Sequence, residues 1–406
     1  MAARVASALM LHFVALILMN ITMTALDAAS PRKLHSRVSL GTRIVFLIAG
    51  LGMSSWAPLV PFASQRLQLD GASLGGLLLC LGMGSLAAMP VTGSLVARFG
   101  CRRVMFGSTL VILAMLPLLA TLNEMWTMAA TLMVFGAGLG MLDVAMNVQA
   151  VEVEKAAGKP MMSGFHGFFS LGGILGAGAI SLLLSIGLSP LTSVALVLVL
   201  MLLLLLWGLP TLMNERLHQP DQPWLVMPRG FVAFLGLLCF ILFLAEGAVL
   251  DWGALLLLQS PAMSTAHAGL GYALFSVAMT IGRLTGDKII HRFGRFPVML
   301  TGALTASAGL ALAVFLPWPQ MALLAFLLVG FGLSNTVPML FNAVGNQQDM
   351  PSNLAISAMT TLGYAGILSG PALIGFISQW LSLSGAFLLI ALLLLAVAAS
   401  ARLVAR

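Results

Sequence analysis

The chain has 406 residues, 60% of them hydrophobic and only 8% charged, and its mean hydropathy is +1.07. A water-soluble domain carries roughly 25% charged residues, so this composition excludes a soluble surface. The net charge of +7 does not point to nucleic acid, because the basic residues fall in short segments between apolar runs and not in a patch interleaved with aromatics.

The apolar runs are near or above the roughly 20 residues that cross a bilayer. Backbone groups in lipid must be paired within the segment, so the runs are read as helices. In chain order, twelve core spans are predicted over 42–62, 72–97, 104–122, 127–150, 164–187, 190–212, 230–255, 268–290, 297–316, 321–343, 354–380 and 385–404. Before them, Arg4 and the apolar run from Val5 to Leu26 fit a thirteenth helix, a surface-lying helix or a leader absent from the mature protein. Residues 1–40 are thus a leader or extra helix plus a basic loop, 41–213 a six-helix bundle, 214–229 a linker with three prolines, and 230–406 a second six-helix bundle.

Charge sets the expected orientation. With the chain before the first core span inside, 16 of the 19 Lys and Arg lie at the inner side and only Arg66 lies outside. Trp126, Trp252, Trp318 and Trp380 then fall near outer helix ends, as an interfacial aromatic belt requires. The three cysteines have neither paired nor metal-type spacing, and no His-Glu-x-x-His or Gly-x-Ser-x-Gly constellation is present. No cofactor, metal or enzymatic activity is expected.

Two halves of the chain repeat each other at an offset of 194 residues. Val134–Gly140 returns as Leu328–Ser334, Arg98–Gly100 as Arg292–Gly294, and Gly172 and Gly176 as Gly366 and Gly370. Internal repeats of long apolar helices mark secondary transporters, whose substrate site lies near the bilayer midplane at the repeat interface.

Several polar groups stand inside the predicted spans. An ionised carboxylate in a bilayer is costly, so Asp143 and Glu246 are candidates for proton or substrate binding. Asn147 shares a helix face with Asp143, four residues away. His166 opens the fifth span and is read either as a proton or hydroxyl ligand or as a satisfied core histidine. Asp251 lies nearer the outer surface and is read as solvated. Arg283 is four residues from Asp287, so an ion pair along the helix is sterically possible. Arg283 either snorkels inward at the inner edge or faces a partner in the cavity. Trp56, Asn335, Thr360 and Tyr364 offer polar groups that either line the cavity or serve helix packing.

Gly93-Ser-Leu-Val-Ala-Arg-Phe-Gly-Cys-Arg-Arg103 follows the second span. It resembles the signature loop of the major facilitator superfamily, Gly-x-x-x-Asp-Arg-x-Gly-Arg-Arg, with Ala97 at the acidic position. Asp287-Lys-Ile-Ile-His-Arg-Phe-Gly-Arg295 is its degenerate second copy. The resemblance implies gating roles for Gly93, Arg98, Gly100, Arg102, Arg283, Asp287 and Arg292. Leu142, Asp143, Ala145 and Asn147 resemble the Leu-Glu-x-Ala-x-Asn pattern of the fucose–proton symporter branch, whose acid takes part in proton coupling. His166-Gly-Phe-Phe-Ser-Leu-Gly and Glu246-Gly-Ala-Val-Leu-Asp-Trp252 resemble runs of related uncharacterised bacterial inner-membrane facilitators. That branch also carries an acid in the first span, where this chain has none.

The resemblance covers about residues 41 to 404 and implies an all-α major facilitator fold of 12 transmembrane helices in two bundles. It implies a monomer in the inner membrane with the core's termini cytoplasmic. The expected function is alternating-access transport, with proton-coupled uptake of a small polar solute such as a sugar. Export of apolar or cationic compounds is the alternative, which 26 methionines would suit; a membrane-embedded sensor is a third.

Overall fold

A computed structural model describes residues 31–69, 71–213, 227–260, 270–316 and 318–405. The expectations for residues 1–30 and for most of the linker lie outside the described residues; the basic loop expected up to residue 40 is instead helical from Pro31, continuous with the first span. The described residues are helical, without strands. The principal helices are α1 (Pro31–Ser55), which a short helix Val60–Leu67 extends, α2 (Gly71–Phe99), α3 (Cys101–Thr121), α4 (Met125–Ala157), α5 (Met162–Ser185), α6 (Pro190–Gly208), α7 (Gly230–Leu257), α8 (Leu270–Phe293) and α9 (Arg295–Phe315). The tenth span is split into α10 (Pro319–Leu333) and α11 (Thr336–Asn346). A last stretch, Ser352–Ala399, bends where Ser382 takes φ 65° and ψ 164°, giving α12 (352–381) and α13 (383–399). Each of the twelve predicted spans is therefore present.

Ten described segments are long and apolar enough to cross a membrane. Ser352–Ala399 counts among them once although it holds two spans; α8, which carries Arg283, Asp287, Lys288 and Arg292, is not among them.

The helix ends follow local chemistry. Ser189 caps α6, its hydroxyl accepting the Thr192 N–H at 3.2 Å, and Pro190 sits where no N–H is needed. Gly158 ends α4 in the left-handed conformation at φ 61°. Arg66, the lone outer cation of the sequence reading, donates to the carbonyls of Leu119, Ala120 and Leu122 at 2.9, 2.8 and 2.8 Å. It closes the C-terminal end of α3, where free carbonyls and the helix dipole favour a cation.

The described residues form two compact units. Of the described residues, one takes in those up to Ser85, Phe99–Gly158 and those from Leu171 to Met213; the other takes in Leu86–Arg98, Lys159–Ser170 and those from Met227 onward. The repeat is visible in their packing. A Cβ at Gly136 would run into the Leu81 carbonyl, and one at Gly330 into the Phe275 carbonyl. Gly138 meets the Ser108 carbonyl as Gly332 meets that of Gly302. Close backbone approach through small residues is how apolar helices associate in lipid. Gly100 (φ 82°, ψ 154°) and Gly294 (φ 84°, ψ 164°) make the same turn in the two copies, in a region that essentially only glycine occupies.

In the first unit, fully buried Gln149 ties three segments together. It donates to Thr42 Oγ1 at 2.8 Å, and its Oε1 accepts the Met213 N–H at 3.1 Å. Trp126, Trp318 and Trp380 are exposed, as a belt requires. Trp252 departs from that expectation: its Nε1 is buried and its ring packs at Gly375 of α12.

Candidate functional site

The split of the tenth span has an identifiable cause. Pro338 has no N–H to give to the Ser334 carbonyl four residues before it, which opens the helix there. In the first copy the corresponding residue is Val144, and α4 runs unbroken from Met125 to Ala157. Arg283 of α8 takes up the released acceptor, its Nε donating to the Ser334 carbonyl at 3.4 Å. Asn335 completes the break by donating to the Gly282 carbonyl at 3.3 Å and to Ser334 Oγ at 3.0 Å.

Arg283 is 7% exposed and sits at the centre of this second-unit cluster. Its Nη1 donates to Ser170 Oγ of α5 at 3.0 Å, and its Nη2 to Glu246 Oε1 of α7 at 3.3 Å. The side chains of Arg283 and Glu246 are 9% and 19% exposed. The ion pair with Asp287 that the spacing allowed is not made, and Arg283 does not snorkel. The reason is competition: Glu246, Ser170 and the opened helix place three acceptors around the guanidinium. Asp287 instead accepts the Gly164 N–H through Oδ2 at 2.9 Å.

Around this centre, the His166 ring lies 5.3 Å from that of Phe341, and Tyr364 meets Phe243 edge-on at 5.7 Å. Gly286 is confined between Asn335 and Ser163; a Cβ there would run into Asn335 Oδ1. Thr360 is fully enclosed and donates to the Ile356 carbonyl one turn back, which fits the packing alternative. Gly93 packs against the start of α12, where Asn353 Nδ2 donates to the Gly93 carbonyl at 2.7 Å. Arg292 is exposed, its guanidinium 5.3 Å from the Phe293 ring centre. Asp251 is exposed, and it does not end its helix as expected, since α7 continues past it to Leu257.

In the first unit, Asn147 is fully buried and donates to the Asp143 carbonyl at 2.9 Å and to Asp143 Oδ1 at 3.4 Å. The predicted shared face is thus realised. Trp56 is 5% exposed, with its Nε1–H lacking an acceptor among the described residues. Arg98 and Arg102 are half-buried on either side of the Gly100 turn.

Sequence reasoning missed Ser170, Ser334 and Pro338. Comparison of the two copies at the 194-residue offset would have found the break, since Gly140 and Val144 become Ser334 and Pro338. The same comparison turns Gly52 into Glu246, Met89 into Arg283 and Met141 into Asn335. Polar residues that only the second copy carries converge in one cluster.

Comparison with known proteins agrees with the fold. Residues 44–349 match the family model described as Major Facilitator Superfamily. An uncharacterised MFS-type transporter of Yersinia pestis is 55% identical over 367 residues, covering 90% of this chain and 96% of the relative. The crystal structure of the E. coli fucose:proton symporter FucP matches with a TM-score of 0.73 at 18% identity, covering 91% of this chain and 98% of that one. The proton:xylose symporter XylE matches with a TM-score of 0.71 at 14% identity, covering 91% and 96%. With two glycine-packed copies of one helical pattern and a polar cluster set within apolar spans, the chain belongs to the Major Facilitator Superfamily and is a multi-pass membrane transporter, not an enzyme.

Proposed function

We propose that the chain is a proton-coupled importer of a small polar solute of the sugar or sugar-like class, working as a monomer by alternating access in the inner membrane. Its core termini are cytoplasmic. The observation that carries the reading is the Arg283–Glu246 pair at 3.3 Å, enclosed among apolar helices. Charges within membrane spans are expensive and mark substrate or ion pathways. A carboxylate that alternates between a proton and a guanidinium partner links proton entry to rearrangement of its surroundings. Glu246 is one proton site, and Asp143, held against Asn147, is the other. Asn147, His166, Trp56, Asn335 and Tyr364 are the substrate contacts; the Trp56 Nε1–H, without an acceptor among the described residues, suits a hydroxyl. Gly93, Arg98, Gly100, Arg102, Asp287 and Arg292 serve the gates. The proton-coupled sugar symporters among the structural neighbours support the reading at the level of fold.

The test is uptake into proteoliposomes with an imposed pH gradient. Solute accumulation that collapses with the gradient, and that Asp143→Asn and Glu246→Gln convert to gradient-independent equilibration, is the expected result. Expulsion of lipophilic cations with no sugar-like uptake would replace import with export.

A further inference from the structure

We infer that the imported solute carries a carboxylate, and that Arg283 binds it in place of Glu246. This rests on the import reading above and narrows its substrate class from polar solutes to small organic acids of the sugar-acid type.

Donor accounting carries the argument. A guanidinium has five N–H groups and no lone pair to offer. Arg283 uses three of them, toward Ser170, Glu246 and the Ser334 carbonyl, so two have no acceptor among the described residues. Glu246 supplies one oxygen only, and its Oε2 makes no hydrogen bond among the described residues. The 3.3 Å contact is longer than the 2.7–2.9 Å typical of a tight charge-assisted pair. A buried ion pair kept for stability alone would be expected to satisfy its remaining donors. Here a buried arginine meets its carboxylate at a single point and keeps two of its five N–H groups open among the described residues. The fork's matched ligand is a carboxylate that takes two parallel N–H bonds.

The surroundings fit that ligand. Glu246 keeps 19% of its side chain exposed, so it has room to swing away. Phe243 lies one turn from Glu246 on α7 and meets Tyr364 of α12 edge-on, so an aromatic pair stands on the helix that carries the acid. The second copy carries Arg283 and Glu246 where the first has Met89 and Gly52. Charge balance then gives the coupling. When Glu246 takes a proton, its negative charge is lost and Arg283 lacks a counter-ion; the solute carboxylate restores it. One proton and one monoanion therefore bind together, and binding tightens as pH falls, by up to about tenfold per unit for one linked proton.

The experiment is a binding titration on the full chain in nanodiscs at pH 5.5 and 7.5. The probes are D-gluconate and D-glucuronate, with sorbitol and D-glucose as neutral counterparts. The acids are expected to bind at least about tenfold more tightly at the lower pH, given the linked proton. In Glu246→Gln, which leaves His166 of α5 and Tyr272 of α8 as the titratable groups facing Arg283, most of the pH dependence of their binding is expected to be lost, and Arg283→Gln abolishes the binding. A second measurement does not depend on the natural solute. Glu246→Ala leaves Arg283 without its counter-ion, and added acetate is expected to raise that variant's melting point saturably. Acetate should have no such effect in the Glu246→Ala/Arg283→Gln double variant.

Neutral sugars that bind as well as the acids, with pH dependence, would overturn this inference and leave proton-coupled sugar uptake standing. Binding of lipophilic cations alone would overturn both. Failure of the acids to bind folded Glu246→Gln, together with no acetate effect on Glu246→Ala, would show that the fork is closed and overturn the inference directly.

Discussion

Arg283 and Glu246 present the sharpest energetic question at the residue scale. Two charges withdrawn from water into apolar surroundings depend on each other. Arg283→Met, which restores the residue of the first copy, leaves Glu246 without its partner and is expected to cost about 3–5 kcal/mol, as for other broken buried pairs. Combining it with Glu246→Gln should recover most of that loss, because the uncompensated charge is gone. A double-mutant cycle on chemical unfolding in detergent reads both values; additive losses would mean that the two side chains do not interact. Gly286→Ala belongs to the same scale. Its new methyl group meets Asn335 Oδ1, a buried polar atom that has little room to retreat, so a clear loss of melting temperature is expected.

At the element scale, the two copies separate what is common from what has diverged. The turns at Gly100 and Gly294 share their dihedral angles, and alanine at either is expected to cost about 1–3 kcal/mol. Melting measurements on the two single variants should show similar losses; a loss confined to one would mean that the repeat does not extend to energetics. The break between α10 and α11 is the divergent element. Pro338→Val copies Val144 and returns an N–H to the Ser334 carbonyl, competing with Arg283. Removing a mid-span proline stabilises a helix by up to about 3 kcal/mol. The variant should therefore melt higher while solute binding weakens; an unchanged melting point would mean that the break is held by packing alone. This element also marks the limit of what the sequence made legible. Span positions followed from hydropathy, because lipid leaves a backbone little choice. Asp143 and Asn147 could be placed together because they share one helix. The partner of Arg283 could not be read: Asp287 is its neighbour along α8, whereas Glu246 and Ser170 lie on other helices. Contact across helices depends on packing, and periodicity along one helix says nothing of it.

At the scale of the whole molecule, the distribution of Lys and Arg makes a prediction that depends on no single side-chain contact. Sixteen of 19 such residues fall at one side when the chain before the first core span, 42–62, is cytoplasmic. Arg66, the outer exception, is occupied in closing the end of α3 and so does not weaken the bias. The short connection between α3 and α4 then faces outward, and the one between α4 and α5 faces the cytoplasm. Asn123 and Lys159 are exposed positions in these two connections. The native thiols interfere little, since Cys101 and Cys239 are buried and only Cys80 is partly open. In a Cys80→Ser background, Asn123→Cys should react with a membrane-impermeant maleimide in intact spheroplasts. Lys159→Cys should react only after the membrane is permeabilised. The reverse pattern would invert the molecule, turning the proposed import of protons with solute into movement the other way. Labelling of both positions in intact spheroplasts would mean a mixed insertion, which a sixteen-to-one bias of inner over outer cations does not permit.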